Sequence, residues 1–243
     1  MANDTKLLAV LIDADNISPQ WAEAIFEEIS SLGQSAVRRI YGDFSSNYLK
    51  GWADKLASLA IVPHQQFANT TGKNSSDIAL VIDAMDLLHT GRFDGFVLIS
   101  SDSDFTRLAS RIREQGLDIY GIGQRKTPAA FRNACKRFIY VENLMAESDT
   151  APAAGSEGKS APKPSKKLKP EDARGLILRA FDALGEDEEW VSLGRLGQQI
   201  TAANPDFDAR NYGKKSLSEL VREIKMVEVE KSGNHQLRAR RLD

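Results

Sequence analysis

Six apolar runs punctuate the first 145 residues: LLAVLI (7–12), AVRRIY (36–41), IVPHQQF (61–67), FVLIS (96–100), DIYGIG (118–123) and FIYV (138–141). They are short and mostly continuous, the pattern of strands buried on both faces. Between them apolar residues recur at helical spacing. Ser18–Pro19 opens one helix, with Trp21, Ile25, Ile29 and Leu32 on a stripe. Ser75 or Ser76 opens another, whose buried face is expected to carry Ile78, Val81, Ile82 and Met85. Phe105, Leu108, Ala109 and Ile112 mark a third. Strands alternating with helices predict an α/β domain, a doubly wound and mainly parallel sheet covered on both faces. In such sheets the site lies at the carboxyl ends of the strands.

The pattern breaks between residues 148 and 169, SDTAPAAGSEGKSAPKPSKKLK, where Ala, Pro, Ser, Gly and Lys dominate and no period survives. This predicts a first domain over 1–147, a flexible basic linker over 148–169 and a second domain over 170–243. In the second, PEDARGLILRAFDAL, VSLGRLGQQITAAN and DARNYGKKSLSELVREI read as three helices. MVEVEKSGNHQLRARRL alternates and turns at Ser232–Gly233–Asn234, a hairpin signal. Three helices and a hairpin predict a smaller α+β winged helix.

Composition narrows the function classes. The net charge of −2 gives no whole-chain pull toward polyanions. The single cysteine, Cys135, excludes a disulfide framework and a multi-cysteine zinc site, and fits a reducing compartment. No stretch approaches a membrane span, and the start of the chain lacks a signal-peptide pattern. The expectation is a soluble, cytoplasmic protein.

The chemistry lies in acids at strand ends. Asp13 closes the first apolar run in VLIDADN, and Asp102 and Asp104 follow the fourth in VLISSDSDF. Asp77 stands in the first turn of its helix, where the macrodipole favours a carboxylate. Asp83 and Asp86 share that helix, but at about 100° per residue they point well away from Asp77. Carboxylates converging without His or Cys suit a hard cation, Mg²⁺ or Mn²⁺, and such a site serves phosphoryl or phosphodiester chemistry. Asp104 also reads as a helix cap and Asp15 as a turn residue. Asn16 reads equally as a turn residue or as an amide fixing the site. Lys73 reads as a phosphate contact or as a solvated charge. His64, His89 and His235 stand far from the acid motifs, and Cys135 reads as a small buried residue. LIDADNI also resembles the D-x-D strand end of haloacid-dehalogenase-like phosphatases, with Asp13 as nucleophile; Ile17 stands where that pattern has Thr or Val, and no partner lysine motif is evident. No G-x-G-x-x-G follows the first strand, which argues against a dinucleotide site.

VLIDADNI, KNSSDIALVIDAM, FVLISSDSDF and TPAAFRNACKRFIYVENL, in that order and spacing, resemble the NYN domain over nearly all of residues 6–145. The resemblance implies a PIN-like nuclease: a doubly wound sheet whose acids hold Mg²⁺ or Mn²⁺ and cut RNA. By position its acids fall on Asp13, Asp77, Asp102 and Asp104, its polar residue on Asn16, and a small polar pair on Ser100 and Ser101; Asp15 fills a variable place. EEWVSLGRLGQQITAANPDFDARNYGKKSLSELVREIKMVEVE resembles the OST-HTH, or LOTUS, domain, which implies an RNA or protein partner.

RNA, single-stranded or structured, needs phosphate contacts beside the acids. Arg107 and Arg111 share a helix face after Asp104, and Arg125, Lys126, Arg132, Lys136 and Arg137 crowd the end of the domain. In the second domain Arg210, Lys214 and Lys215 surround Tyr212, whose ring is expected to pack inward, and the arginines of HQLRARR are placed to act as a wing on phosphate. The expected activity is metal-dependent RNA cleavage with a C-terminal RNA-binding domain. A non-catalytic RNA-binding regulator or adaptor and a phosphomonoesterase are the alternatives, and a homodimer is compatible with either.

Overall fold

The computed structural model describes residues 5–66, 75–144, 167–185, 189–232 and 236–242. The chain divides into two compact units, Met1–Ala153 and Ala154–Asp243.

In the first unit strands β1 (Leu7–Asp13), β2 (Gln34–Gly42), β3 (Val62–Gln65), β4 (Gly95–Ile99), β5 (Asp118–Gly123) and β6 (Arg137–Tyr140) form one sheet, ordered β3-β2-β1-β4-β5-β6. Every pairing is parallel. Helices α1 (Ala22–Leu32), α2 (Lys50–Ala53), α3 (Ser75–His89), α4 (Thr106–Glu114), α5 (Ala129–Ala134) and α6 (Val141–Leu144) cover both faces. One core joins Ile12, Ile40 and Val97 to Ile25, Ile29 and Trp52; the other joins Leu11, Phe96 and Leu98 to Leu80, Leu108 and Phe131. The chain winds outward through β2 and β3, returns, and winds the other way through β5 and β6. The reversal therefore falls between β1 and β4, whose carboxyl ends border the crevice where doubly wound sheets bind ligands.

Local chemistry explains the element ends. Ser18 caps the turn at Pro19, which leads into α1. The edge strand β3 spans four residues and contains Pro63. On β5 a Cβ at Gly121 would stand 2.5 Å from the Phe138 ring, and one at Gly123 would stand 2.5 Å from the Ser100 carbonyl oxygen. Both positions need glycine for close approach rather than for a turn.

The face expected to be buried on α3 is only partly so. Leu80, Ala84, Leu87 and Leu88 meet the sheet, whereas Ile78 and Ile82 are 61% and 58% exposed. Val81 and Met85 lie at the margin, partly buried against the core. The helix is apolar around most of its circumference, so i, i+3, i+4 spacing fits two stripes. Asp83 decides between them: its carboxylate bonds Arg39 and the Tyr41 hydroxyl on β2, which turns the leucine stripe inward.

The second unit contains α7 (Arg174–Leu184), β7 (Val191–Ser192), α8 (Leu193–Ala203), α9 (Leu217–Arg222), β8 (Val227–Lys231) and β9 (Leu237–Arg241). Its antiparallel sheet is ordered β7-β9-β8 around a core of Ile177, Phe181, Leu196, Ile200 and Leu220. The expected third helix is broken. A 3-10 turn over Ala209–Tyr212 ends at Gly213, with φ 74°, and α9 starts afresh under Ser216, whose hydroxyl accepts the Glu219 N–H. The left-handed conformation at Gly213 is a helix stop. Most of the stretch read as a linker, and the hairpin tip at 233–235, lie outside the described residues. Residues 167–169 are described, and there the Leu168 N–H donates to the Asn211 carbonyl at 2.9 Å. No helix among the described residues is long and apolar enough to cross a membrane.

Candidate active site

Asp13 ends β1 and is 1% exposed. Both its oxygens are engaged. Oδ1 accepts the Asp15 N–H at 3.2 Å; Oδ2 accepts from the Asn16 amide at 2.6 Å and from the Ser100 hydroxyl at 2.7 Å. Burial pushes its carboxyl above the ordinary range, and the Ser100 and Asn16 hydrogen bonds oppose that push. Ser100 also accepts the Asp102 N–H at 3.0 Å. One buried hydroxyl thus ties the end of β1 to the loop after β4.

Asp102, not Asp104, is the cap of the following turn, its Oδ1 accepting the Asp104 N–H at 2.9 Å. The extended backbone at Asp102 places its side chain across the turn, which leaves Asp104 exposed in the first turn. Asp77, in the first turn of α3, is half-buried, and its carboxyl is pushed up to about 6 by burial and then by the charges of Asp13, Asp102, Asp15 and Asp104. Five carboxylates therefore share one field at the sheet reversal. Asp15 belongs to this group, and the Ser76 hydroxyl donates to it at 3.4 Å. Spacing alone gave Asp15 only a turn role; the D-x-D of LIDADN was the available signal. Ser100 had no local signal, because its role depends on β1 and β4 being neighbours. Asp83 is held by Arg39 and Tyr41 and adds no charge to Asp77.

The donor set is oxygen throughout, which fits a hard divalent cation. Among the described residues no three or more acidic, His or Cys side chains stand close enough together, as placed, to hold a metal ion between them. An open ring of acids is what Mg²⁺ tolerates, since it keeps several waters and takes few direct protein ligands.

The basic residues separate into two kinds. Arg107 and Arg111 are exposed on α4, Arg111 standing 3.5 Å from Glu114, and Lys126 is exposed beyond β5. Arg125 donates to the Asn143 side chain at 2.8 Å and lies 5.0 Å over the Tyr140 ring. Arg132 donates to the Tyr140 hydroxyl at 2.5 Å. Both arginines are half-buried around that tyrosine. Lys136 pairs with Asp118 at 2.7 Å and Arg137 with Glu28 at 3.2 Å, at the amino ends of β5 and β6, away from the acids. Lys73 lies outside the described residues. In the second unit Arg210 pairs with Asp208 at 2.7 Å and Lys214 with Glu223, while Lys215 is exposed and Tyr212 is buried. The wing arginines are matched too: Arg238 with Glu230, Arg240 with Glu228 and Glu189, Arg241 with Asp182. Arg238 and Arg240 each lie 4.8 Å from the Trp190 ring.

His64 sits beside Tyr41 and Asp83, and the His89 ring contacts the Met85 carbonyl, so neither joins the acids; His235 lies outside the described residues. Cys135 is buried, and burial pushes its thiol up to about 12.

A parallel sheet with this reversal and acids at its carboxyl edge is consistent with a PIN-like α/β fold. The NYN domain model matches residues 7–143 and the OST-HTH/LOTUS domain model residues 165–239. The chain belongs to the NYN domain family and carries an OST-HTH/LOTUS domain after its NYN domain. No curated protein matches it. Among solved structures, a protein of unknown function from Vibrio parahaemolyticus aligns at 15% identity and TM-score 0.49, over 58% of this chain and 95% of its own. An uncharacterized protein of Nitrosomonas europaea aligns at 26% identity and TM-score 0.26, over 38% of this chain and 90% of its own.

Proposed function

We propose that the chain is a metal-dependent endoribonuclease: the NYN domain cuts phosphodiester bonds and the OST-HTH domain contributes RNA binding. The supporting observation is the convergence of Asp13, Asp102, Asp15 and Asp104 on Asp77 at the sheet reversal, with Ser100 and Asn16 holding the Asp13 carboxylate. Asp13, Asp77, Asp102 and Asp104 would hold Mg²⁺ or Mn²⁺, which when bound supplies an activated water and charge stabilisation at the scissile phosphate. Ser100 and Asn16 orient the Asp13 carboxylate. Asp102 holds the loop on which Asp104 is presented, and Arg107 meets phosphate on the substrate. Asp13→Asn and Asp102→Asn should each nearly abolish cleavage of a single-stranded oligoribonucleotide in Mg²⁺ or Mn²⁺, with circular dichroism unchanged. Wild-type cleavage by both variants would overturn the assignment.

A protein partner for the OST-HTH domain is the second reading, supported by the acid pairing of Arg210, Lys214 and the three wing arginines.

A further inference from the structure

Two surface features adjoin the acids, and the apolar one is not used by the proposed chemistry. On α3, Ile78 and Ile82 are exposed and continue, through partly buried Val81 and Met85, as an apolar stripe. On α4, Arg107 and Arg111 are exposed. Both helices lie on the same face of the sheet, α3 across β1 and β2, α4 beside β5 and α5. With strands about 4.8 Å apart, these helices stand about two and a half strand spacings, roughly 12 Å, apart.

Hydrogen bonds fix which way each stripe faces. Asp83 binds β2, so the flank of α3 carrying Asp83 faces the β2–β3 edge. At about 100° per residue, Val81 and Met85 occupy the opposite flank, and Ile78 and Ile82 its outer margin. Arg113 donates to the Asn133 carbonyl of α5, so that flank of α4 faces α5. Arg107 and Arg111 fall on the other side, toward α3. The two stripes thus form opposite walls of one channel. Ile78 follows Asp77 directly, and Arg107 lies three residues after Asp104, so the channel opens at the acids.

We infer that this channel between α3 and α4 is a binding track for single-stranded RNA, with nucleobases against the aliphatic wall of α3 and phosphates on Arg107 and Arg111 of α4. The inference rests on the nuclease reading above and names the path of its substrate. Charge complementarity and continuity with the acid site select this occupant. A single strand presents apolar base faces on one side and anionic phosphates on the other, the combination that sequence-tolerant single-strand grooves use. A duplex hides its base faces and gains nothing from the isoleucines. Arg111 is also shared with Glu114, so Arg107 is the stronger phosphate contact.

The test uses the full chain in chelator, with a labelled oligouridylate and an abasic ribose-phosphate strand of equal length. Both isoleucines are exposed, so an Ile78→Ser/Ile82→Ser variant keeps the core. It should bind the oligouridylate about tenfold more weakly, the value expected when some 50 Å² of apolar contact is lost. Its affinity for the abasic strand and its salt dependence should match wild type. Arg107→Gln/Arg111→Gln should weaken both strands and lower the salt slope by about 1.4, roughly 0.7 per phosphate contact. A 4-thiouridine strand should crosslink within residues 75–89. Unchanged affinity together with no crosslink in that helix overturns the inference, as does a stripe variant that only converts a dimer to a monomer in sedimentation. Cleavage by wild type in Mg²⁺ or Mn²⁺ is scored separately. Cleavage without the channel signature sinks the track and leaves the nuclease; the signature without cleavage sinks the nuclease and leaves the track. A wild-type chain that binds neither strand in chelator and cleaves no RNA in Mg²⁺ or Mn²⁺ sinks both.

Discussion

Replacing Asp77 by Asn should stabilise the metal-free protein. The folded carboxyl sits at about 6 against an ordinary 3.8, because burial and four other carboxylates oppose its charge. A displacement of that size corresponds to a cost of at most ~3 kcal/mol at neutral pH. Asp77 is only half-buried, so screening by water reduces the expected gain to ~1 kcal/mol, or roughly 3 °C in a domain of this size. The sign in pH follows from proton binding. Between about 4 and 6 the folded state holds a proton on Asp77 that the unfolded chain has released, so wild-type stability falls as pH rises through this window. The advantage of Asp77→Asn should therefore be full at pH 7 and vanish near pH 4. Differential scanning calorimetry in chelator at pH 4, 5, 6 and 7 reads it directly. Added Mn²⁺ should then raise the wild-type midpoint more than the variant's, since a cation that binds only the folded site stabilises by mass action. Asp83→Asn is the control. It should destabilise by about 1 kcal/mol, because it weakens charge-assisted bonds to Arg39 and Tyr41. A destabilised Asp77→Asn, or a gain that persists at pH 4, would refute the shared-field account.

Three further outcomes follow from the same geometry. Ser100→Ala removes the donor to Asp13 and the acceptor for the Asp102 N–H, so urea denaturation should show a loss of about 1–3 kcal/mol, and single-turnover cleavage should slow by up to about a hundredfold as the acids lose register. Gly123→Ala places a methyl 2.5 Å from the Ser100 carbonyl oxygen, a backbone atom that cannot yield cheaply; a loss of about 1–3 kcal/mol is expected in the same assay. Removing residues 170–243 should raise the RNA concentration needed for cleavage and leave the saturated rate nearly unchanged; unchanged affinity would instead favour the protein-docking reading of the OST-HTH domain.

What the sequence revealed depended on how local the determinant was. The parallel sheet was legible because strands buried on both faces read as continuous apolar runs, LLAVLI and FVLIS above all. Asp13 and Asp102 stood out because each interrupts such a run. The orientation of α3 was not legible, since Ile78 and Ile82 match a helical stripe as well as Leu80 and Ala84 do, and Asp83 chooses between them through residues about forty positions away. The wing arginines looked free for the same reason: Arg240 meets Glu189 and Arg241 meets Asp182, acids more than fifty residues upstream. Gly213 lay inside a helical pattern, and only its left-handed backbone reveals the stop.

The short outer strand β3 has a consequence for how copies of this protein meet. An open sheet ends in unpaired backbone groups that invite another chain to extend it, the first step toward aggregation. Here that border is four residues long and interrupted by Pro63, which has no N–H to offer a newcomer. The opposite border, β6, is equally short and keyed to β5 by Phe138 lying over Gly121. Neither edge of the six-stranded sheet is a good template for intermolecular pairing, so growth through this sheet would first require one of its borders to unravel.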